Sequence, residues 1–185
     1  CTFMVSVTFV FAGGKQKKEV NVALMLSGSA NDLTWSYAAD QALKKVAKKL
    51  GYVNIIGIAE NVAEGDAESF MRDYADNGAD IVIANTFGFF DAAHKITAED
   101  PDLVVVFPGG DKSLIKERVA TYYPLGYQST YLIGITAALA SKTKKVGYIV
   151  SNPIPPLLAE VNAFYQGVKD TNPAISVDIM TTGSW

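Results

Sequence analysis

One cysteine and one histidine in 185 residues leave few soft metal ligands and no thiol pair. A disulfide framework within the chain is excluded, and so is a Cys-rich metal centre. Histidine-based metal binding and a His-dependent catalytic dyad have almost nothing to draw on. Charge is also sparse: 16 Lys and Arg stand against 19 Asp and Glu, a net charge of -3 and a pI near 5.1. That balance argues against a broad nucleic-acid surface. The chain lacks the three spaced glycines of a dinucleotide fingerprint and the Gly-Lys-Ser/Thr of a phosphate loop. Nucleotide phosphates, cofactors and metals are therefore not expected ligands.

What is present is apolar material, 49% of the residues, enough for a sizeable core in one domain or two small ones. The chain opens on Cys1 and closes on Trp185 straight after a strand-like run, a pattern expected of a piece of a longer protein. Thr2 to Ala12 is apolar but too short to span a bilayer. It has the length of a signal-peptide core, with small residues Val10 and Ala12 at the -3 and -1 positions of a cleavage site. Residues 1–14 are accordingly read as a signal-peptide-like segment, the competing reading being a buried strand. Gly14 stands where a lipoprotein would place its cysteine, so the residues do not support lipid anchoring.

After Val20 the pattern alternates. Strands are expected at 20–26, 53–58, 80–84, 103–107, 119–123, 145–150 and 175–180. Helices are expected to end at Leu50, Asn77, Glu99, Ser141 and Thr171. Gly51 and Gly78 supply two of the stops. The first helix should bury Leu43, Val46, Ala47 and Leu50 and expose its four lysines, and His94 should lie on a solvated helix face. Strand–helix alternation implies an α/β fold with a parallel, Rossmann-like sheet and helices on both faces. Lys145–Val150 looks like a second first strand. The expected organisation is a first lobe over 20–128, an interlobe crossing over 129–144 and the start of a second lobe over 145–185. A ligand cleft would lie where the strand C-termini of the two lobes face each other.

The loops after the strands carry the candidate residues. Asn31 and Asp32 either cap the first helix or offer hydrogen bonds to a ligand. Trp35 either joins a core stripe with Ala39, Ala42 and Val46 or faces the cleft. Phe87, Phe89 and Phe90 around Gly88 can supply flat walls, with some of them packing at the helix start, and Gly88 allows close approach. Asp91 serves the first helical turn or a ligand. Asn152 reaches the cleft from the second lobe or shapes its loop, and Trp185 follows the last strand, opposite Trp35. No Ser or Cys has a His–acid partner arrangement, so catalysis is not expected.

Several stretches resemble one family when taken in order: Leu26 to Ala39, Glu60 to Glu68, Arg72 to Ala75, Thr86 to Asp91, Asn162 to Phe164 and Gly183 to Trp185. They are similar to the basic membrane protein family, the extracytoplasmic substrate-binding proteins of ABC transporters, related to purine-nucleoside-binding lipoproteins. The resemblance implies a type I periplasmic-binding fold of about twice this length, a periplasmic or other extracytoplasmic location, and an ABC permease as partner. It also implies a purine held between two aromatics, at positions matching Trp35 and Trp185, with Asp32 and the Thr86–Asp91 loop beside them. Acids that face the ribose in the nucleoside-binding branch match Leu26–Ser27 and Gly126–Gln128, where this chain has none. A free base such as adenine is therefore expected over a nucleoside. Two alternatives remain at this point: the ligand-sensing core of a regulator, for which the first twenty residues supply no helix-turn-helix, and an α/β nucleoside-processing enzyme.

Overall fold

Aliphatic and β-branched runs bounded by Gly, Asn and Asp become the strands, because buried parallel strands need apolar side chains on both faces. The computed structural model describes residues 19–110 and 112–184. The signal-peptide reading of residues 1–14 and the role of Trp185 lie outside the described residues. β1 (Val20–Met25), β2 (Val53–Ala59), β3 (Ile81–Ala84), β4 (Val104–Pro108) and β5 (Val119–Tyr122) form one parallel sheet in the order β2-β1-β3-β4-β5. Along β1, Ala23 and Met25 enter one core and Val22 and Leu24 the other. α1 (Trp35–Leu50) covers the second of these faces through Leu43. α2 (Ala67–Asp76) and α3 (Phe90–Glu99) cover the first through Met71, Ala93 and Ile96.

The order reverses direction between β1 and β3, since β2 lies to one side of β1 and β3 to β5 lie to the other. At such a switch point the two following loops part and leave a crevice. α4 (Gly126–Ala140) then leads to β6 (Lys145–Val150), α5 (Pro155–Thr171) and β7 (Ser176–Thr181). β6 and β7 pair in parallel in a sheet of their own, as expected. Phe164, Val168 and Ile175 form a small separate core there.

α4 and α5 touch backbone to backbone. A Cβ at Gly134 would run into the carbonyl of Phe164, and one at Gly167 into the carbonyl of Tyr131. Glycine at these two places sets the helix separation. α4 starts at Gly126. No helix among the described residues is long and apolar enough to cross a membrane.

Two expectations are corrected. The buried residues of α1 are Ser36, Asp40 and Leu43, while Val46 and Leu50 are exposed. The polar pair can turn inward because Lys44 neutralises the Asp40 carboxylate at 2.8 Å, an i,i+4 pair, and Ser36 sits against Asp32. His94 is half-buried rather than solvated. Its Nε2 bonds the Leu114 carbonyl at 2.8 Å, and its ring meets Phe90 and Phe107 edge-on.

Candidate functional site: a cavity at the switch point

The first loop is built by Asp32. Its Oδ1 accepts the Thr34 and Tyr37 amides at 2.7 and 3.0 Å, and its Oδ2 accepts the Ser36 amide at 3.0 Å. These bonds answer the free N–H groups that every helix start presents. They hold the Asp32 carboxyl far below the usual carboxylate range, led by the Thr34 amide. The same loop is fixed on its other side by Glu60, whose Oε2 accepts the Ser29 hydroxyl at 3.0 Å and the Ala30 amide at 2.7 Å.

With the loop fixed, Trp35 opens α1 beside the end of β3. Its Nε1–H donates to the Asn85 carbonyl at 2.7 Å, across the switch point. Tyr123, between β5 and α4, faces it with ring centroids 6.2 Å apart and planes tilted by 36°. Asn85 is buried and serves a second aromatic: the Tyr122 hydroxyl donates to its Oδ1 at 2.8 Å. Its Nδ2 has no hydrogen-bond partner among the described residues. Burial pushes the Tyr122 and Tyr123 phenols up to about 12, so both stay neutral hydrogen-bonding groups at ordinary pH.

Asp32, Trp35 and Tyr123 border a cavity of about 460 Å³, a size suited to a small planar molecule. Ser27, Asp32, Trp35, Phe87, Gly109 and Tyr123 come from the five-stranded unit, and Ser151, Ile154 and Leu157 come from the β6–α5 side. Gly109 has a φ of 89° and lies so close to Ile154 that a Cβ would sit 3.1 Å from its Cδ1. The hydroxyls of Ser27, Ser36, Thr86 and Ser151 sit among the lining residues, so the cavity offers aromatic faces with hydrogen-bonding edges. Among the described residues, no three His, Cys, Asp or Glu gather closely enough to hold a metal.

Of the residues expected from sequence, Asp32, Trp35 and Phe87 line this cavity. Asp32 does so as a helix cap with most of its acceptor sites already used. Phe89 is fully buried in the core, and its place in the binding set is corrected. Gly88 admits the Glu64 side chain rather than a ligand. Asn31 and Asp91 are exposed and outside the cavity lining. Asn152 is outside it as well: its carbonyl accepts the Ile154 amide at 2.8 Å, shaping the loop that delivers Ser151 and Ile154. Sequence reasoning missed Tyr123, Gly109, Ile154 and Leu157. Tyr123 carried a signal, since it closes the expected strand 119–123, next to where a candidate loop would start.

A purine-binding protein of Brucella abortus is 31% identical over 179 residues, covering 96% of this chain and 51% of that protein. A protein of Haloferax volcanii described as a putative ABC transporter glucose-binding protein is 27% identical, covering 94% of this chain and 44% of that one. The chain thus spans about half the length of the curated relatives it matches. A solved solute-binding protein of an ABC transporter system from Conexibacter woesei superposes with a TM-score of 0.64 at 25% identity, covering 90% of this chain and 55% of that one. The family model described as ABC transporter substrate-binding protein, PnrA-like, matches residues 19–185, so the chain belongs to this family of substrate-binding proteins, the resemblance read from its motifs.

Proposed function

We propose that the protein is an extracytoplasmic receptor of an ABC importer that captures a planar purine-type ligand, a base such as adenine or its nucleoside, and presents it to a permease. The observation that carries the reading is Trp35. Its indole is pinned through Nε1 to the Asn85 carbonyl and lines a cavity of about 460 Å³ shared by both sheets. A ring held this way loses little freedom when a flat ligand stacks on it. Family membership and the purine-binding relative support the reading, and the apolar segment Thr2 to Ala12 supports export.

The receptor grips by stacking and edge hydrogen bonds, with no covalent step. Closure of two lobes, over 20–128 and 145–185, would bury the ligand and create the surface the permease reads. Calorimetry on the full-length protein with adenine, guanine, adenosine, inosine and glucose tests this. Trp35→Ala should weaken purine binding roughly five- to a hundred-fold, as expected for one lost stacking partner. If glucose binds and no purine does, the receptor is a sugar receptor. If Trp35→Ala leaves purine affinity unchanged, the aromatic wall is structural.

A further inference from the structure

We propose that Asn85 and the Tyr122 hydroxyl, both outside the cavity lining, are positioning groups for its aromatic wall: together they form a hydrogen-bond relay that holds the Trp35 indole in its stacking orientation. The proposal rests on the planar-ligand reading above. Asn85 follows β3, where the loops after β1 and β3 part. Its amide donates to the Met25 carbonyl at 2.9 Å, which extends the β1–β3 pairing by one residue and fixes the backbone there. Its carbonyl accepts the Trp35 indole N–H at 2.7 Å, and its Oδ1 accepts the Tyr122 hydroxyl at 2.8 Å. A single residue, 2% exposed, thus joins β1, β5 and the first turn of α1.

Three observations point to positioning. The Asn85 Nδ2 has no partner among the described residues, so Tyr122 supplies the hydrogen bond that orients the side-chain amide. Trp35 is 40% exposed, so packing grips only part of the ring, and the bond to the Asn85 carbonyl supplies the missing restraint. The relay also touches the lining at further points. Thr86 follows Asn85, Tyr123 follows Tyr122, and the Tyr122 carbonyl accepts the Gly109 amide at 3.0 Å. Trp35, Thr86, Gly109 and Tyr123 all line the main cavity. A stacking ring gives most affinity when its freedom has been lost before the ligand arrives. Buried hydrogen bonds in a chain strengthen one another, so removing the Tyr122 hydroxyl should be felt at the indole, two bonds along the relay.

The test is a double-mutant cycle on the full-length protein with two readouts. Adenine and adenosine are titrated calorimetrically into the wild type, Tyr122→Phe, Asn85→Ala and the double variant. The tryptophan indole N–H resonances are followed by NMR, with Trp35→Phe identifying the signal of Trp35. Each single change should weaken purine binding about three- to tenfold, the worth of one hydrogen bond. The double variant should be no weaker than the weaker single one, since both changes remove the same restraint. The Trp35 indole N–H should shift and exchange faster with solvent in all three. Tyr122→Phe keeps the ring and loses one oxygen, so it carries the test even if Asn85→Ala folds poorly. If Tyr122→Phe leaves purine affinity unchanged, whether or not the indole signal moves, the relay does not position the wall and the proposal is wrong. If the two changes simply add, it is wrong as well. In both cases the planar-ligand reading stands. If neither purine binds the wild type, that reading falls and the relay proposal with it.

Discussion

Asp32 shows how one side chain can look like a ligand group and act as scaffold. Capping and ligand contact were both open from sequence, because the two uses need the same oxygen atoms at the same loop. The structure commits those oxygens to the amides of Thr34, Ser36 and Tyr37. The Asp32 carboxyl is depressed in the fold relative to the unfolded chain. Its stabilising contribution is therefore complete above the unfolded value of about 3.9 and is lost as pH falls below it. Asp32→Ala should lower the thermal midpoint at neutral pH. The gap from wild type should narrow as melts are repeated below about pH 4. A gap that stays constant into acid would mean that the ionised cap is not its source. Trp35 was legible because it follows a strand end and a capping residue. Ile154 was not, since its contact with Gly109 depends on how the β6–α5 side meets the five-stranded unit, and no local pattern encodes that.

At the level of elements, strand positions follow directly from the apolar runs, and most boundaries agree to within a residue or two. Helix faces were harder. α1 buries Ser36 and Asp40, which a hydrophobic-stripe argument places outside, and it does so because each polar group has a partner. The α4–α5 contact likewise depends on glycines whose role appears only when the two helices meet. Gly134→Ala gains about 1 kcal/mol in helix propensity. It also forces a methyl group against the Phe164 carbonyl, backbone that cannot rotate away. We expect overpacking, about 1–3 kcal/mol, to win, with a net loss of up to about 2 kcal/mol in urea denaturation, and the same for Gly167→Ala. Gly65, with nothing near its Cβ direction, serves as the control, and Gly65→Ala should be close to neutral. Equal effects at 65 and 134 would show that the helices are not in close backbone contact.

Over the whole molecule, the two sheets differ in how well they are covered. β1 is flanked on both sides and its Ala23, Leu24 and Met25 are 0% exposed, whereas Ile149 on β6 and Met180 on β7 are 71% and 66% exposed. Amide exchange by mass spectrometry should therefore find β1 the most protected strand, with β6 and β7 exchanging through smaller, local openings. Uniform protection would mean that both sheets open as one cooperative unit. The chain passes between the sheets through residues 123–125 and α4. α4 packs on α5 through Gly134 and Gly167, so in the two-lobed receptor proposed above it would travel with the second sheet, and residues 123–125 would lie in the joint. Tyr123 sits in that joint and also forms a cavity wall. In the language of levers, a ligand held as proposed would lie close to the fulcrum: a rotation that swings the far ends of the sheets through a wide arc would displace the Tyr123 wall very little. The aromatic grip would then persist through opening and closing, while the side that carries Ser151, Ile154 and Leu157 would travel with the second sheet and set when the cavity shuts.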